Sequence, residues 1–183
     1  MLVDHEIAGI PGLIEPFVAH QVKAGNIGYG LSCAGYDCRL GLTVRWPTGG
    51  TLDPKRPELA QWHETTYQTG EPIDIPPGGF FLGVTVERFS FPNDLVGIFL
   101  GKSTLARCGV FPLATPAEPG WRGYLTLEFA NLSGQWATVY AGEGIGQMQF
   151  HRVNPPAVPY GARAGASYQD QAATPVVARH TRG

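Results

Sequence analysis

The sequence predicts a mainly β fold of many short strands with few helices. Its 183 residues include 25 glycines and 16 prolines, well above the usual combined share of roughly 12%, and both residue types interrupt long helices. Segments rich in β-branched and aromatic residues recur along the chain, and Gly/Pro turn signals separate them about every ten residues. This pattern is typical of β-sandwiches, jelly rolls and distorted barrels.

Composition and charge indicate a single domain spanning residues 1–183. Hydrophobic residues make up 43% of the chain and charged residues 15%, which excludes the disordered and the highly charged coiled-coil classes. No apolar run approaches the roughly 18 residues of a membrane span. The net charge of −2 argues against nucleic-acid binding through a general positive field. We therefore expect neither a membrane nor a nucleic acid as a partner.

The N-terminal region predicts one amphipathic helix, roughly at residues 12–24. Pro16 is tolerable in a first helical turn, and Gly25 is placed to end the helix. The apolar residues that recur there at helical spacing are Leu13, Ile14, Phe17, Val18 and Val22.

Beyond this region the apolar residues alternate with a period of two, which predicts strands. A short helix at about 103–108 is expected between them, with Ser103 as N-cap and Gly109 as the C′ residue. After about residue 154 Pro, Ala and Gly dominate, so residues 160–183 are expected to form a mobile C-terminal tail. The strands are expected near residues 43–46, 80–89, 95–100, 124–130, 136–140 and 145–152.

Two segments carry residues suited to chemistry. The turn of residues 102–107 offers free backbone N–H groups, a lysine, two hydroxyls and Arg107, which are the components of a phosphate site. A capped surface helix with charged ends is the alternative. Alternation within residues 124–130 places Glu128 on the polar face of its strand. Glu128 is then either a solvated carboxylate or a general acid/base held on a rigid strand.

Ordered blocks along residues 11–179 resemble the dCTP deaminase family of the dUTPase-like superfamily. The resemblance is carried by Gly-Lys-Ser-Thr-Leu-Ala-Arg-Cys-Gly at 101–109, Glu-Pro-Gly-Trp-Arg-Gly at 118–123 and Thr-Leu-Glu-Phe-Ala-Asn at 126–131. The fold it implies is a distorted jelly-roll β-barrel. Further matching blocks lie at residues 13–17, 29–32, 35–39, 52–54, 75–77 and 144–148.

The resemblance implies roles for individual residues. Glu128 takes the position of the catalytic carboxylate, and Arg107 that of the arginine that ends the triphosphate-binding turn and reaches the active site. Glu118 falls near the deoxyribose 3′-hydroxyl. The other substrate-binding positions are Lys102, Ser103, Thr104, Leu105 and Ala106 on the turn, Thr126 and Leu127 beside the base, Gln147, and Tyr160 and Gln171 in the tail.

Two departures from the family pattern concern the tail and one loop. Many members carry a lysine directly before the tail tyrosine, where this chain has Ser167 before Tyr168. In those members a glycine follows the last glutamines of the tail, where this chain has Ala172-Ala173. The loop between Arg107 and Glu118 matches the shorter variant of the family. The carbonyl that would hold the attacking water is expected near Thr115-Pro116.

The implied activity is hydrolytic deamination of dCTP to dUTP and ammonia by a homotrimer with active sites between subunits. Mg²⁺ would enter on the triphosphate, and dTTP is a candidate inhibitor. The His/Cys patterns of zinc-dependent deaminases, H-x-E and P-C-x-x-C, are absent, so no zinc is expected. The odd count of cysteines (Cys33, Cys38 and Cys108) and the lack of a signal-peptide pattern predict a cytoplasmic protein.

Three alternative functions stay open at this point. The first is a bifunctional enzyme that deaminates dCTP and also releases pyrophosphate, leaving dUMP. The second is a dUTPase without deaminase activity. The third is a non-catalytic nucleotide-binding module on the same scaffold.

Overall fold

A computed structural model describes residues 1–180 and confirms the mainly β fold. The helical segments are α1 (Asp4–Ala8) and α2 (Ser103–Arg107), with 3₁₀ turns at Pro57–Leu59 and Tyr160–Ala162. The strands are β1 (Ile14–Glu15), β2 (Gly30–Ser32), β3 (Gly35–Arg39), β4 (Thr43–Gly50), β5 (Ala60–Thr66), β6 (Pro72–Ile75), β7 (Phe80–Ser90), β8 (Leu95–Gly101), β9 (Val110–Leu113), β10 (Arg122–Asn131), β11 (Ala137–Tyr140) and β12 (Gly144–Arg152).

Two sheets and a two-stranded ribbon share one hydrophobic core. The larger sheet has the strand order β5-β4-β7-β10-β9, with β1 paired to β7, and the second has the order β2-β3-β12-β8. The ribbon pairs β6 with β11. Phe81 and Phe129 stack with ring centroids 4.5 Å apart, and Tyr36 and Phe150 bring the second sheet into the same core. This core supports β10, the strand that carries Glu128.

A buried ion pair ties the two sheets together. The Arg39 side chain on β3 donates from Nε to Glu87 Oε1 on β7 at 2.7 Å, and its backbone N–H donates to Glu87 Oε2 at 2.9 Å. The Arg39 guanidinium also lies 4.7 Å from the Tyr29 ring centre. Desolvation of the fully buried carboxyl raises the pKa of Glu87 despite its partner. Because both charges leave water, removing either partner alone would destabilise this contact between the sheets.

The predicted helix at residues 12–24 is wrong. Ile14 pairs with Phe89 on β7 and Glu15 with Arg88, in antiparallel register. Gly12 has a φ of +72°, a left-handed conformation outside a helix, and Pro16 removes one backbone donor. The apolar side chains therefore reach the core from an extended segment, because pairing with β7 outweighs the helical spacing in the sequence.

The helix that the chain does form near its N-terminus, α1, was missed. Asp4 and Glu6 lie in its first turn, where acidic side chains favour a helix start. The backbone N–H of Val3 donates to Glu6 Oε2 at 2.9 Å. Gly9 follows the helix as its C-cap. These signals were present in the sequence but cover only five residues, too few for a period to emerge.

The short helix at about 103–108 is confirmed as α2, but its cap differs from the expectation. Lys102, with extended backbone, is the N-cap instead of Ser103, and Cys108 is the C-cap. Gly109 follows with a φ of +77°, as a C′ glycine does. All three cysteines are free. Within residues 1–180, none of the helices has the length and apolar composition that a membrane crossing requires.

Candidate active site

A cavity of about 610 Å³ opens between β7, β10, the 115–118 loop and the C-terminal segment. Five of the predicted site residues line it: Glu118, Thr126, Glu128, Tyr160 and Gln171. Thr115 and Pro116, the loop expected to hold the attacking water, line it as well. The structure thus brings together residues that are up to 56 positions apart in the chain, counting from Thr115 to Gln171.

Glu128 lies on the cavity face of β10. Its backbone is opposite Leu82 on β7 and Leu113 on β9, so strands hold it on both sides. The Glu128 side chain is exposed at the cavity, and desolvation by the surrounding walls raises the pKa of its carboxyl. Within residues 1–180 no salt bridge engages it. A carboxyl of raised pKa on a rigid strand is suited to accept a proton and to return it.

The C-terminal segment closes one side of the cavity through hydrogen bonds to β10 and to Trp121, which directly precedes β10. Thr126 Oγ1 donates to Gln171 Oε1 at 3.0 Å and accepts from the Val176 N–H at 3.0 Å. The Trp121 indole N–H donates to the Tyr168 carbonyl at 2.7 Å. These contacts hold Tyr168 and Gln171 against the cavity, and they occupy the Thr126 hydroxyl that was expected beside the base.

The predicted residues of helix α2, its N-cap Lys102 and Gln147 on β12 form a second group that does not line the cavity. Lys102 Nζ donates to Asp37 Oδ2 at 2.8 Å, and Gln147 Nε2 donates to Asp37 Oδ1 at 3.2 Å. Asp37 is largely buried and was missed, although it lies in a block that carries the family resemblance. The exposed residues of the adjoining helix α2 are Ser103, Thr104, Ala106 and Arg107.

Two predicted residues have their side chains in the core. Leu105 and Leu127 are both buried, so only their backbone groups can face a ligand. Sequence reasoning did not predict several residues that line the cavity, among them Asp53, Trp62 and Trp121. Asp53 and Trp62 come from the β4–β5 region, which no local pattern connects with β10.

The cavity wall is acidic and aromatic. Asp53, Glu118 and Glu128 line it, whereas no Lys, Arg or His among residues 1–180 does. The aromatic side chains of Trp62 and Phe80 provide apolar surface suited to a ring. In the same described range no group of three or more His, Cys, Asp or Glu side chains is arranged to hold a metal ion. The cavity suits the uncharged part of a ligand far better than a polyanion.

An apolar strip continues from the cavity onto the open surface. Phe111 and Leu113 lie on β9 opposite Ala130 and Glu128, so their side chains share a sheet face with the Glu128 carboxyl. Leu113 is 63% exposed and Phe111 39%. Large apolar side chains at the rim of a site are typical of a surface that another chain covers.

Comparison with known proteins finds relatives that cover most of the chain. The chain is 44% identical over 164 residues to the dCTP deaminase of Roseiflexus castenholzii, covering 87% of each chain. It is 44% identical over 167 residues to that of Rhizorhabdus wittichii, covering 89% of each. Among solved structures, the 2′-deoxycytidine 5′-triphosphate deaminase of Agrobacterium tumefaciens aligns with a TM-score of 0.61 at 19% identity.

That structural alignment covers 84% of this chain and 48% of the Agrobacterium chain, and it confirms the expected fold class. The dCTP deaminase-like family matches residues 4–153. This match includes β10 with Glu128, helix α2 and Gln147. With the two relatives above, it shows that the chain belongs to the dCTP deaminase-like family.

Proposed function

We propose that this chain is a dCTP deaminase that converts dCTP to dUTP and ammonia in pyrimidine deoxynucleotide metabolism. The observation that carries the proposal is Glu128, a carboxyl of raised pKa that projects from a rigid strand into the cavity. Membership of the dCTP deaminase-like family supports the substrate class.

The chemistry needs one group that both takes and gives protons. Water adds to C4 of the cytosine ring while the Glu128 carboxylate accepts its proton. The carboxyl returns that proton to N3, and a second transfer from the new hydroxyl to the amino group lets ammonia leave as the C4 carbonyl forms. A partly desolvated glutamate suits both directions of transfer, because its pKa lies nearer to neutral pH than usual. We assign Arg107 to orienting the water.

We assign the nucleoside half of the substrate to the cavity within one chain. Trp62 and Phe80 offer apolar surface for the base, and the backbone of Thr126 and Leu127 would flank it. Glu118 is assigned to the sugar 3′-hydroxyl. Its Oε2 also lies 3.8 Å from Arg163 Nη1 of the C-terminal segment. Tyr160, Tyr168 and Gln171 would cover the nucleotide on that side.

The triphosphate half requires cations that the acidic cavity lacks. Lys102 and Arg107, with the hydroxyls and backbone of residues 103–106 and with Gln147, have the donors that phosphate needs. They do not line the same cavity in one chain. We therefore infer a homotrimer in which one subunit supplies Glu128 and its cavity and another supplies the basic turn. The exposed apolar strip of Phe111 and Leu113 supports this arrangement.

We place Mg²⁺ on the substrate triphosphate, because a hard cation keeps phosphate and water oxygens as ligands. Activity is then expected to depend on added Mg²⁺ and to survive a zinc-selective chelator. Ammonia release with dCTP is the measurement. Activity lost to the chelator and restored by zinc alone would contradict the assignment.

A cytoplasmic location and inhibition by dTTP belong to the same proposal. The three free cysteines suit a reducing compartment. The nucleotide dTTP presents the same deoxyribose and triphosphate as dCTP, so it can engage the same groups without an amino group at C4 to lose.

The product is expected to be dUTP with an intact triphosphate. Pyrophosphate release would need a water aimed in line at the α-phosphorus. Glu118 is one methylene longer than the aspartate at that position in dUTPases, which moves its carboxylate by roughly 1.5 Å, and such a displacement can cost about a hundredfold in rate. Incubating dCTP, and separately dUTP, with enzyme and Mg²⁺ distinguishes the alternatives by ammonia assay and phosphorus NMR.

The outcomes of this assay separate four activities. Ammonia with a triphosphate product supports the proposal. Ammonia with stoichiometric pyrophosphate and dUMP indicates the bifunctional enzyme. Pyrophosphate from dUTP without ammonia from dCTP indicates a dUTPase. Tight nucleotide binding with neither product indicates a non-catalytic module.

A further inference from the structure

The C-terminal segment runs beside the start of β10 at very close range. Gly123 and Gln171 form a parallel bridge. The Tyr124 N–H donates to the Gln171 carbonyl at 3.1 Å, and the Asp170 N–H donates to the Arg122 carbonyl at 2.9 Å. A Cβ atom on Gly123 would lie 2.6 Å from the Gln171 nitrogen, and the φ of Gly123 is +140°. Only glycine therefore allows the segment to dock here.

Three charged side chains close over this contact. The Arg122 guanidinium donates from Nε to Asp170 Oδ1 at 2.6 Å and from Nη2 to Oδ2 at 3.2 Å. Arg88 on the adjacent strand β7 places Nη2 3.9 Å from Asp170 Oδ1. We call Arg88, Arg122 and Asp170 the tail clamp. In the described part of the chain, Asp170 is the only carboxylate that pairs with either arginine.

The backbone and charge state of Asp170 suit this position. Its φ is +54°, a left-handed conformation that aspartate tolerates better than most residues. The hydrogen bond from Arg122 lowers the pKa of the Asp170 carboxyl, so the side chain stays charged at neutral pH.

The tail clamp sits between two residues that line the cavity. Gln171 follows Asp170 directly and accepts a hydrogen bond from Thr126 at 3.0 Å. Tyr168 precedes it by two positions, and its carbonyl accepts from the Trp121 indole at 2.7 Å. Fixing Asp170 therefore helps to hold both residues at the cavity, through contacts within one chain.

We propose that Asp170 is a positioning residue: with Arg88 and Arg122 it holds the C-terminal segment over the cavity to which the nucleotide binds. The identity of that nucleotide rests on the proposed function. Contacts within one chain that hold the segment there lower the entropic cost of closing the cavity. Exposed ion pairs are weak and are screened by salt, so the segment can still open for entry and release. The family's tail lysine, replaced here by Ser167, is not needed for this docking.

Replacing Asp170 with asparagine tests the proposal. At low ionic strength Asp170→Asn is expected to raise the KM for dCTP about fivefold, the scale of one good exposed ion pair, with kcat changed less than about twofold. Salt near 1 M shortens the screening length to about 3 Å and is expected to raise the KM of both enzymes, because cationic groups bind the triphosphate. The ratio of the two KM values should fall from about fivefold toward one, because salt also screens the ion pair that only the unmodified enzyme has.

Asp94→Asn is the matched control. Asp94 pairs with Arg152 at 2.5 Å, and the exposed fractions of that pair, 42% and 54%, resemble the 51% and 56% of Asp170 and Arg122. Its KM and salt response are expected to equal those of the unmodified enzyme. An equal effect of both variants would overturn the proposal, as would an Asp170→Asn enzyme with unchanged KM.

A readout without substrate separates the tail clamp from the proposed function. Amide hydrogen exchange in the nucleotide-free enzyme is expected to be faster at Tyr124, Asp170 and Val176 in Asp170→Asn and in Arg122→Gln. The double variant should be no faster than either single variant, because both remove one interaction. Unchanged exchange at these amides would overturn the proposal even if dCTP is deaminated. Faster exchange in a protein that does not deaminate dCTP would support the clamp and refute the proposed function.

Discussion

Replacing Glu128 with glutamine is expected to abolish deamination while the fold and nucleotide binding are retained. The amide has the shape of the carboxyl but cannot accept the proton of the attacking water, and general acid/base groups contribute about 10²- to 10⁴-fold to rate. The fold should tolerate the change, because Glu128 projects into the cavity and forms no salt bridge within residues 1–180. The measurements are single-turnover ammonia release and equilibrium binding of dCTP.

Glu118→Gln is the matched control for Glu128→Gln. It removes a second carboxylate from the same cavity wall, so it reproduces the change in cavity charge. If Glu118 recognises the sugar, its loss should raise KM more than it lowers kcat. Ammonia release near the unmodified rate from a verified Glu128→Gln protein would remove Glu128 from the catalytic role. Equal losses of kcat in both variants would attribute the effect to cavity charge.

Arg107→Ala is expected to be inactive by itself, but to regain activity when mixed subunits are formed with Glu128→Gln. The reason is the separation of the two predicted groups within one chain: Glu128 lines the cavity and α2 does not. In a closed ring assembled at random from equal amounts of both variants, about one quarter of the interfaces combine an intact Glu128 with an intact Arg107. Activity near a quarter of the unmodified value is therefore expected after joint refolding or co-expression.

A second mixture provides the negative control for this recovery. Lys102→Ala and Arg107→Ala alter the same predicted turn. In their mixture every subunit therefore has an altered turn, so no interface has both Lys102 and Arg107 intact. This mixture should stay inactive. Mixed assembly can be verified with differently tagged subunits. Mixed oligomers of Arg107→Ala and Glu128→Gln without recovered activity would refute an active site shared between subunits.

The strand alternation of residues 124–130 correctly predicted the side of β10 on which Glu128 lies. This was possible because successive side chains of a strand point to opposite faces of the sheet, so the alternation of neighbouring residues shows which face each side chain is on. The same holds for the turn signals and for helix α2, whose C′ glycine has the expected positive φ. The ordered motif blocks also identified the family, since they record residue types at positions that the fold brings together.

Interactions between distant segments could not be predicted in this way. The helical spacing at residues 12–24 was overridden because Ile14 pairs with Phe89, 75 positions away. The close docking of Gln171 on Gly123 and the ion pair of Asp170 with Arg122 likewise join segments 48 positions apart. The sequence by itself determined the mainly β class, the facing of Glu128 and the family. Only the tertiary structure decided which segments meet around the cavity, because the free energy of such contacts comes from long-range pairing and burial that no local pattern contains.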